Sequence, residues 1–279
     1  MRVYFSQLPA LPRAVIMRRV KAEESMGALQ GKIAWLTGAG SGIGRAGAQE
    51  LAASGATVII SGRTPEGVQE SVALITQAGG KAEAAVLDVS DKSAVARVGA
   101  NIIARHGRVD ILVNSAGLNL STRLWKDVTP DSFDYISQIN LNGALYCIYA
   151  VLPSMRAKKD GLVINVSSWA GMHEEYLTGP AYNASKTALA ALTRSLNDEE
   201  CVNGIRATCL FPGEVATPIL RHRPVAPSQQ EVDRMLQAED LGKTIRFVAE
   251  MPPRVCINEI LITPTWNRFF IGGPDMARK

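Results

Sequence analysis

From residue 32 onward, short apolar runs alternate with longer segments of helical spacing. The run IAWLT (33–37) is almost continuously apolar, the pattern of a strand covered on both faces. A glycine-rich turn follows, and helical spacing then continues to about residue 54. TVIIS (57–61), AEAAVLDV (82–89), DILVN (110–114), LVINVS (162–167), IRATCLF (205–211) and VCINEILI (255–262) repeat the strand pattern. Helices are predicted between them: over 65–78, up to residue 106, over 130–158 with a break near Pro153, over 181–203 and over 239–250. Strands and helices in alternation predict an α/β fold. The expected form is a doubly wound, mostly parallel seven-stranded sheet, Rossmann-like, with helices on both faces. No linker or composition shift divides residues 26–279, so one domain is expected, with the polar stretch 213–238 as a loop over the substrate.

Composition narrows the class. Apolar residues make up 47% of the 279, ample for a buried core. No apolar run reaches the ~18 residues of a membrane span. The net charge is +4, but residues 1–25 hold five basic and two acidic side chains, so most of the excess lies there. The nearly neutral remainder gives no basis for nucleic-acid binding. The leader reads either as an Arg-containing targeting segment or as an upstream extension with Met26 as the start. The folded pattern begins directly after it, which favours the extension. Cys147, Cys201, Cys209 and Cys256 show no pairing or metal-like spacing, which fits reduced thiols and a cytoplasmic setting. Three scattered histidines, His106, His173 and His222, predict no metal site.

Two short motifs carry chemistry. TGAGSGIG (37–44) follows the first strand. Its glycines Gly38, Gly42 and Gly44 allow a tight turn and close approach of backbone to a pyrophosphate, with Ser41 and Ile43 between them. The helix that follows would offer free N–H groups and a positive dipole end. Ile43 stands where a GxGxxG motif would have its third glycine. The Thr with three glycines arises by chance in about one such chain in a hundred. The second motif, YNASK (182–186), places Tyr182 and Lys186 one helical turn apart. Alone it arises in about one chain in five, so the joint occurrence carries the inference. An ammonium ~4 Å from a phenolate at an effective dielectric of ~20 gains about 4 kcal/mol. Such a pair could lower a tyrosine by up to about three units less the cost of desolvation, from ~10 towards ~7, the useful range for a general acid/base.

With these motifs the chain resembles the short-chain dehydrogenase/reductase family, in its compact single-domain branch, over about residues 30–265. The resemblance rests on TGAGSGIG, on LDV with Asp88, on NSAG (114–117), on Asn140, on Ser168 after the fifth strand, on YNASK and on PGEVAT (212–217). Ser115 departs from the family's usual NNAG, and the spacing from Ser168 to Tyr182 is one residue longer than usual. The resemblance implies Tyr182 as proton donor or acceptor, Lys186 on the nicotinamide ribose and Ser168 at the reacting oxygen. Ser167 competes for the serine role. Asn140 would hold a water that links Lys186 to solvent. It further implies Asp88 and Val89 at the adenine, and Asn114, Ala116 and Gly117 along the dinucleotide. Pro212, Gly213 and Val215 would form the turn after the sixth strand, and Thr217 would meet the carboxamide.

Cofactor choice turns on SGRT (61–64), where Gly62 replaces the acid often found in members that use NAD. Arg63 suits a 2′-phosphate through forked, charge-assisted hydrogen bonds, and Thr64 adds a hydroxyl, so NADP(H) is favoured over NAD(H). The expected substrate is a small-molecule carbonyl or alcohol. Its walls are expected from 118–125, 169–179 and 214–238: Trp169, Met172, Tyr176 and Leu177 as an apolar pocket, with Glu174, Glu175, Arg221, His222 and Arg223 as polar contacts. The chain ends in TPTWN (263–267), followed by Phe269 and Phe270, rather than a double-glycine turn. Ala184, Ala188 and Ala191 would allow close helix pairing, and the resemblance implies a homodimer or homotetramer. The reading is an NAD(P)-dependent oxidoreductase; the alternative is a catalytically silent nucleotide sensor on the same fold.

Overall fold

The computed structural model describes residues 27–223 and 225–272. The expectations for the leader lie outside the described residues. Seven parallel strands form one sheet in the order β3-β2-β1-β4-β5-β6-β9. They are β1 (Ile33–Thr37), β2 (Thr57–Ile60), β3 (Lys81–Ala84), β4 (Ile111–Asn114), β5 (Gly161–Val166), β6 (Ile205–Pro212) and β9 (Glu259–Ile262). The order reverses between β1 and β4, which opens a crevice at the carboxyl ends of those strands.

The helices are α1 (Gly42–Ala53), α2 (Pro65–Gln77), α3 (Lys92–His106), α4 (Pro130–Ser137), α5 (Gly143–Lys158), α6 (Pro180–Glu200), α7 (Gln229–Val232), α8 (Ala238–Ala249) and α9 (Arg268–Ile271). Alternation along β1 shows how they divide. Ala34 and Leu36 join a core with Leu51 of α1, Val68 of α2 and Ile245 of α8. Ile33 and Trp35 face Val95 of α3 and Val151 of α5, with Leu192 and Leu196 of α6 packed alongside. Every residue of β1, β4, β5 and β6 except Arg206 is buried, which is why these strands read as continuous apolar runs.

Three boundaries differ from the sequence reading. The third strand spans Lys81–Ala84, not 82–89. Ala85 and Leu87 still donate to Ile60 and Gly62, but β2 ends at Ile60 and the regular ladder stops with it. The last strand keeps only Glu259–Ile262 of the expected 255–262. The 130–158 helix is interrupted by a π-turn at Gln138–Asn142, not at Pro153. Pro153 lies on the exposed face of α5, and the carbonyl it leaves without a donor belongs to Tyr149, also on the solvent side of the helix. The stretch 213–238 is partly ordered into β7 (Val215–Ala216), a 3₁₀ turn at Pro218–His222, α7 and β8 (Leu236–Gln237), with β7 and β8 paired.

Candidate active site

The crevice at the carboxyl ends of β1 and β4 widens into a cleft of about 420 Å³. Its first wall is the 38–44 turn. Gly38 (φ 63°) and Gly42 (φ 53°) take left-handed backbone conformations that side chains disfavour. A Cβ on Gly38 would stand 2.6 Å from the amide nitrogen of Ala116, and one on Gly44 would stand 2.5 Å from the Gly38 carbonyl. The turn is therefore folded onto the NSAG segment with no room for a side chain at Gly38 or Gly44. Ser41 is the N-cap of α1, yet its hydroxyl makes no capping bond, so the helix start is left open to an anion. These features fit a dinucleotide pyrophosphate.

Arg63 and Thr64 line the same cleft, as do Asp88 and Val89. Arg63 donates to the hydroxyl of Tyr135 at 3.1 Å. Asp88 accepts from the amide and hydroxyl of Ser90, so it also closes its own turn. Ala116, Gly117, Pro212, Gly213, Val215 and Thr217 continue the lining. Asn114 lies behind the wall: its amide donates to Asn165 at 2.9 Å, and Asn165 donates to Thr193 of α6 at 2.9 Å. Gly44 likewise supports the turn without lining the cleft.

Tyr182 and Lys186 project from the first two turns of α6, whose start is fixed by Gly179 (φ 76°) and Pro180. Lys186 is buried and donates to the carbonyl of Val166 at 2.9 Å; its nitrogen lies 5.6 Å from the Tyr182 ring centroid. Burial pulls the ammonium down to about 8. Tyr182 is half-buried and lines the cleft. Burial raises the phenol above its ordinary value, opposed by Ser168 and by the charges of Arg123 and Arg223. This corrects the expectation that Lys186 sets a low phenol pKa. Desolvation outweighs the neighbouring cations, and the ammonium is directed at a backbone carbonyl.

The two serines separate cleanly. Ser167 is buried and donates to the Lys186 carbonyl at 2.8 Å, while Ser168 lines the cleft with Tyr182, accepts from the Ala170 amide at 3.2 Å and pulls the phenol downward. Asn140 sits in the π-turn, buried behind Gly117. Its amide accepts from Leu118 at 2.9 Å, donates to the Leu118 carbonyl at 3.0 Å and donates to Ser185 at 3.2 Å. Asn140 thus clamps the 117–118 backbone to α6.

The expected apolar substrate wall is placed differently. Trp169, Met172, Tyr176 and Leu177 do not line the cleft. Trp169 stacks on Phe269 at 5.3 Å and lies behind it, Leu177 is buried, and Met172 and Tyr176 face outward. Leu118, Ile219, Leu220 and Phe269 form the apolar lining. Of the expected polar contacts, His222 and Arg223 line the cleft, whereas Glu174, Glu175 and Arg221 do not. Sequence reasoning missed Arg123 and Glu214, both buried and both lining. They lie within the two wall segments, but no motif marks them.

The profile of the short chain dehydrogenases matches residues 32–226. The chain is an oxidoreductase of the short-chain dehydrogenase/reductase family. An oxidoreductase of Staphylococcus saprophyticus is 34% identical over 239 residues, which cover 85% of this chain and 98% of that one. A metagenomic short-chain oxidoreductase solved with NADP superposes with a TM-score of 0.75 at 30% identity, over 86% of this chain and all of the other. A Mycobacterium paratuberculosis short-chain dehydrogenase bound to NAD superposes with a TM-score of 0.76 at 28% identity, over 85% and 97% of the two chains. Family membership accounts for the glycine turn, for Tyr182 and Lys186 on one helix, and for the parallel seven-stranded sheet. Among the described residues, no helix is long and apolar enough to cross a membrane, and no cluster of His, Cys, Asp and Glu could hold a metal. The four cysteines are unpaired.

Proposed function

We propose that this protein is an NADPH-dependent carbonyl reductase, acting in reverse as an alcohol dehydrogenase, with Tyr182 as the acid. The observation that carries this reading is the convergence of Tyr182, Ser168 and Lys186 in one cleft with the glycine turn. The 38–44 turn and the start of α1 hold the pyrophosphate, while Arg63 and Thr64 hold the 2′-phosphate. Asp88 and Val89 edge the adenine, and Thr217 meets the carboxamide. When bound, the nicotinamide supplies a hydride to the carbonyl carbon or takes one from the alcohol.

The chain's own residues handle the proton. Tyr182 gives its phenolic proton to the carbonyl oxygen, leaving an alcohol and a phenolate. The raised phenol keeps that proton at neutral pH, which suits reduction. Ser168 donates to the same oxygen and stabilises its developing charge. Lys186, protonated at neutral pH, holds the ribose and offsets the phenolate. Asn140 fixes the 117–118 turn and, with a water, would connect Lys186 to solvent for reprotonation. Ala184 and Ala191 are exposed on the outer side of α6, a face through which two copies would pair into a homodimer or homotetramer.

The test is a carbonyl panel with both cofactors, alongside Tyr182→Phe. Wild type should reduce carbonyls faster with NADPH than with NADH. Tyr182→Phe should lose at least ~100-fold in kcat, since positioned acid catalysis contributes about 10²–10⁴, while still quenching and shifting NADPH fluorescence on binding. A variant that turns over at the wild-type rate when chemistry is limiting would overturn the assignment. Cofactor binding with no turnover of any carbonyl or alcohol would favour a nucleotide sensor.

A further inference from the structure

Arg123 and Arg223 line one end of the cleft with Arg268 buried beside them, and the acids there serve only two of the three. Arg268 is buried and meets Glu214 at 3.2 Å and Glu231 at 2.7 Å. Arg223 meets the other oxygen of Glu214 at 2.7 Å. Arg123 is left over. It is 6% exposed, yet no carboxylate lies within salt-bridge distance of it among the described residues. Its Nη1 reaches the Leu177 carbonyl at 3.5 Å, at the limit of a hydrogen bond, and its Nη2 donates to the His222 carbonyl. Its Nε is buried without a partner. A guanidinium has five N–H donors, and here two neutral acceptors serve them.

A buried charge without a counter-ion is costly, so such a group normally has a partner. Burial and the repulsion of Arg223 pull Arg123 down to about 10, so it stays charged at neutral pH. Its position is fixed tightly. A Cβ on Gly179 would stand 2.0 Å from the Arg123 carbonyl, so this loop is pressed onto the residue that opens α6, three before Tyr182. Arg123 and Tyr182 line the same cleft, and the Arg123 charge opposes the rise of the phenol.

We infer that Arg123 is a substrate-binding residue that selects carbonyl compounds bearing a carboxylate near the reacting carbon. This deepens the carbonyl-reductase reading and rests on it. A planar guanidinium fork matches a carboxylate, and one short anionic group would complete the pairing that the protein leaves open. Arg123 takes no part in the proton transfer.

The test compares 2-, 3- and 4-oxo carboxylates with their methyl esters, using enzyme saturated with NADPH. Wild type should favour the best acid over its ester in kcat/KM by about 10- to 100-fold, the worth of a charge-assisted hydrogen bond. Arg123→Met should collapse that ratio to within about threefold, and Arg123→Lys should restore part of it. The ratio cancels any general damage to the loop, and circular dichroism checks folding. In parallel, calorimetry measures butyrate binding to the NADP⁺ complex, and Arg123→Met should weaken it at least tenfold. A wild type with no preference for acids, or a ratio that survives Arg123→Met, overturns the inference. Should no carbonyl turn over, the reductase reading fails, and butyrate binding then decides on Arg123 alone: loss in the variant upholds the anion site, and equal binding overturns it.

Discussion

Lys186 donates its hydrogen bond to the Val166 carbonyl at 2.9 Å while standing 5.6 Å from the ring centroid of Tyr182. The lysine thus sits beneath the tyrosine as a buried charge whose own proton is the easier one to remove. The ammonium lies at about 8, and the phenol is raised. Both groups are protonated below pH 8. As pH rises through that value, the ammonium loses its charge first. The pH profile of kcat/KM for carbonyl reduction should therefore be flat through neutrality and fall with a single-proton slope near pH 8. Because kcat/KM reports the free enzyme, this inflection belongs to the site before substrate binds. Reduction that still accelerates between pH 8 and 9.5 would contradict it.

The same burial predicts a stability trade. Lys186 ordinarily titrates at 10.5 and here falls to about 8. Between those values the unfolded chain binds more protons than the folded one, so stability rises with pH across the window. The cost of the buried charge is fully present below pH 8 and is relieved by about pH 10.5. That shift corresponds to about 3 kcal/mol, and losing the bond to Val166 returns about 1 kcal/mol. Lys186→Met should thus stabilise the fold by roughly 2 kcal/mol at pH 7, and less as pH rises, while losing activity. Denaturant titrations at pH 7 and pH 10 measure both; a variant less stable than wild type at pH 7 would refute the electrostatic account.

Much of this was legible in the sequence because buried parallel strands are uniform. All seven were located from apolar runs, and errors fell at the ends. The edge strands β3 and β9 were overdrawn because a run such as Val86–Val89 or Val255–Ile257 is equally compatible with half-buried coil at the edge of the sheet. Pro153 misled because the cost of a proline in a helix depends on which face its orphaned carbonyl meets, and periodicity over that stretch did not resolve the face. The motif residues Ser168, Tyr182 and Lys186 converged, since local spacing fixes them. The substrate wall was the poorest reading. Trp169 was displaced from the cleft by Phe269, a residue 100 positions away, and Arg123 shares the cleft with Tyr182 only through the packing of a loop against Gly179. Long-range packing of this kind leaves no local pattern.

Gly44 offers a steric test of the cofactor cradle. A methyl group there would meet the Gly38 carbonyl carbon and oxygen at 2.8 and 2.5 Å, both backbone atoms that cannot step aside. Gly38 would have to move against Ala116, so the cradle would open where it must be tight. Gly44→Ala should weaken dinucleotide binding at least tenfold and destabilise the protein by about 1–3 kcal/mol, the usual range for overpacking. Gly31→Ala is the control: no atom lies within 4 Å of a Cβ there, and its positive φ of 76° would cost stability without touching the cleft. Fluorescence titration with NADPH separates the two, since equal affinity in both variants would mean that the 38–44 turn does not cradle the dinucleotide.

Under the proposed reading, Arg63 selects the dinucleotide. The end of β2 carries no acid: Gly62 occupies the position from which a carboxylate would accept the ribose hydroxyls and repel a phosphate. Arg63 is exposed and donates only to Tyr135, at 3.1 Å, a neutral hydroxyl across the mouth of the cleft. Exchanging that bond for one to a phosphate dianion exchanges a neutral acceptor for a charged one, worth roughly 1.5–3 kcal/mol. In ratio terms, Arg63→Ala should cut the preference for NADPH over NADH in kcat/KM by about 10- to 100-fold. Tyr135→Phe frees the guanidinium from its neutral partner and should leave that preference equal or higher. The phosphate contact is a surface contact, so the wild-type preference should shrink as salt rises from 50 to 500 mM, and Arg63→Ala should lack that dependence. Retained NADPH preference in Arg63→Ala would shift the selection to another side chain, and a wild type faster with NADH would remove Arg63 from the cofactor site altogether.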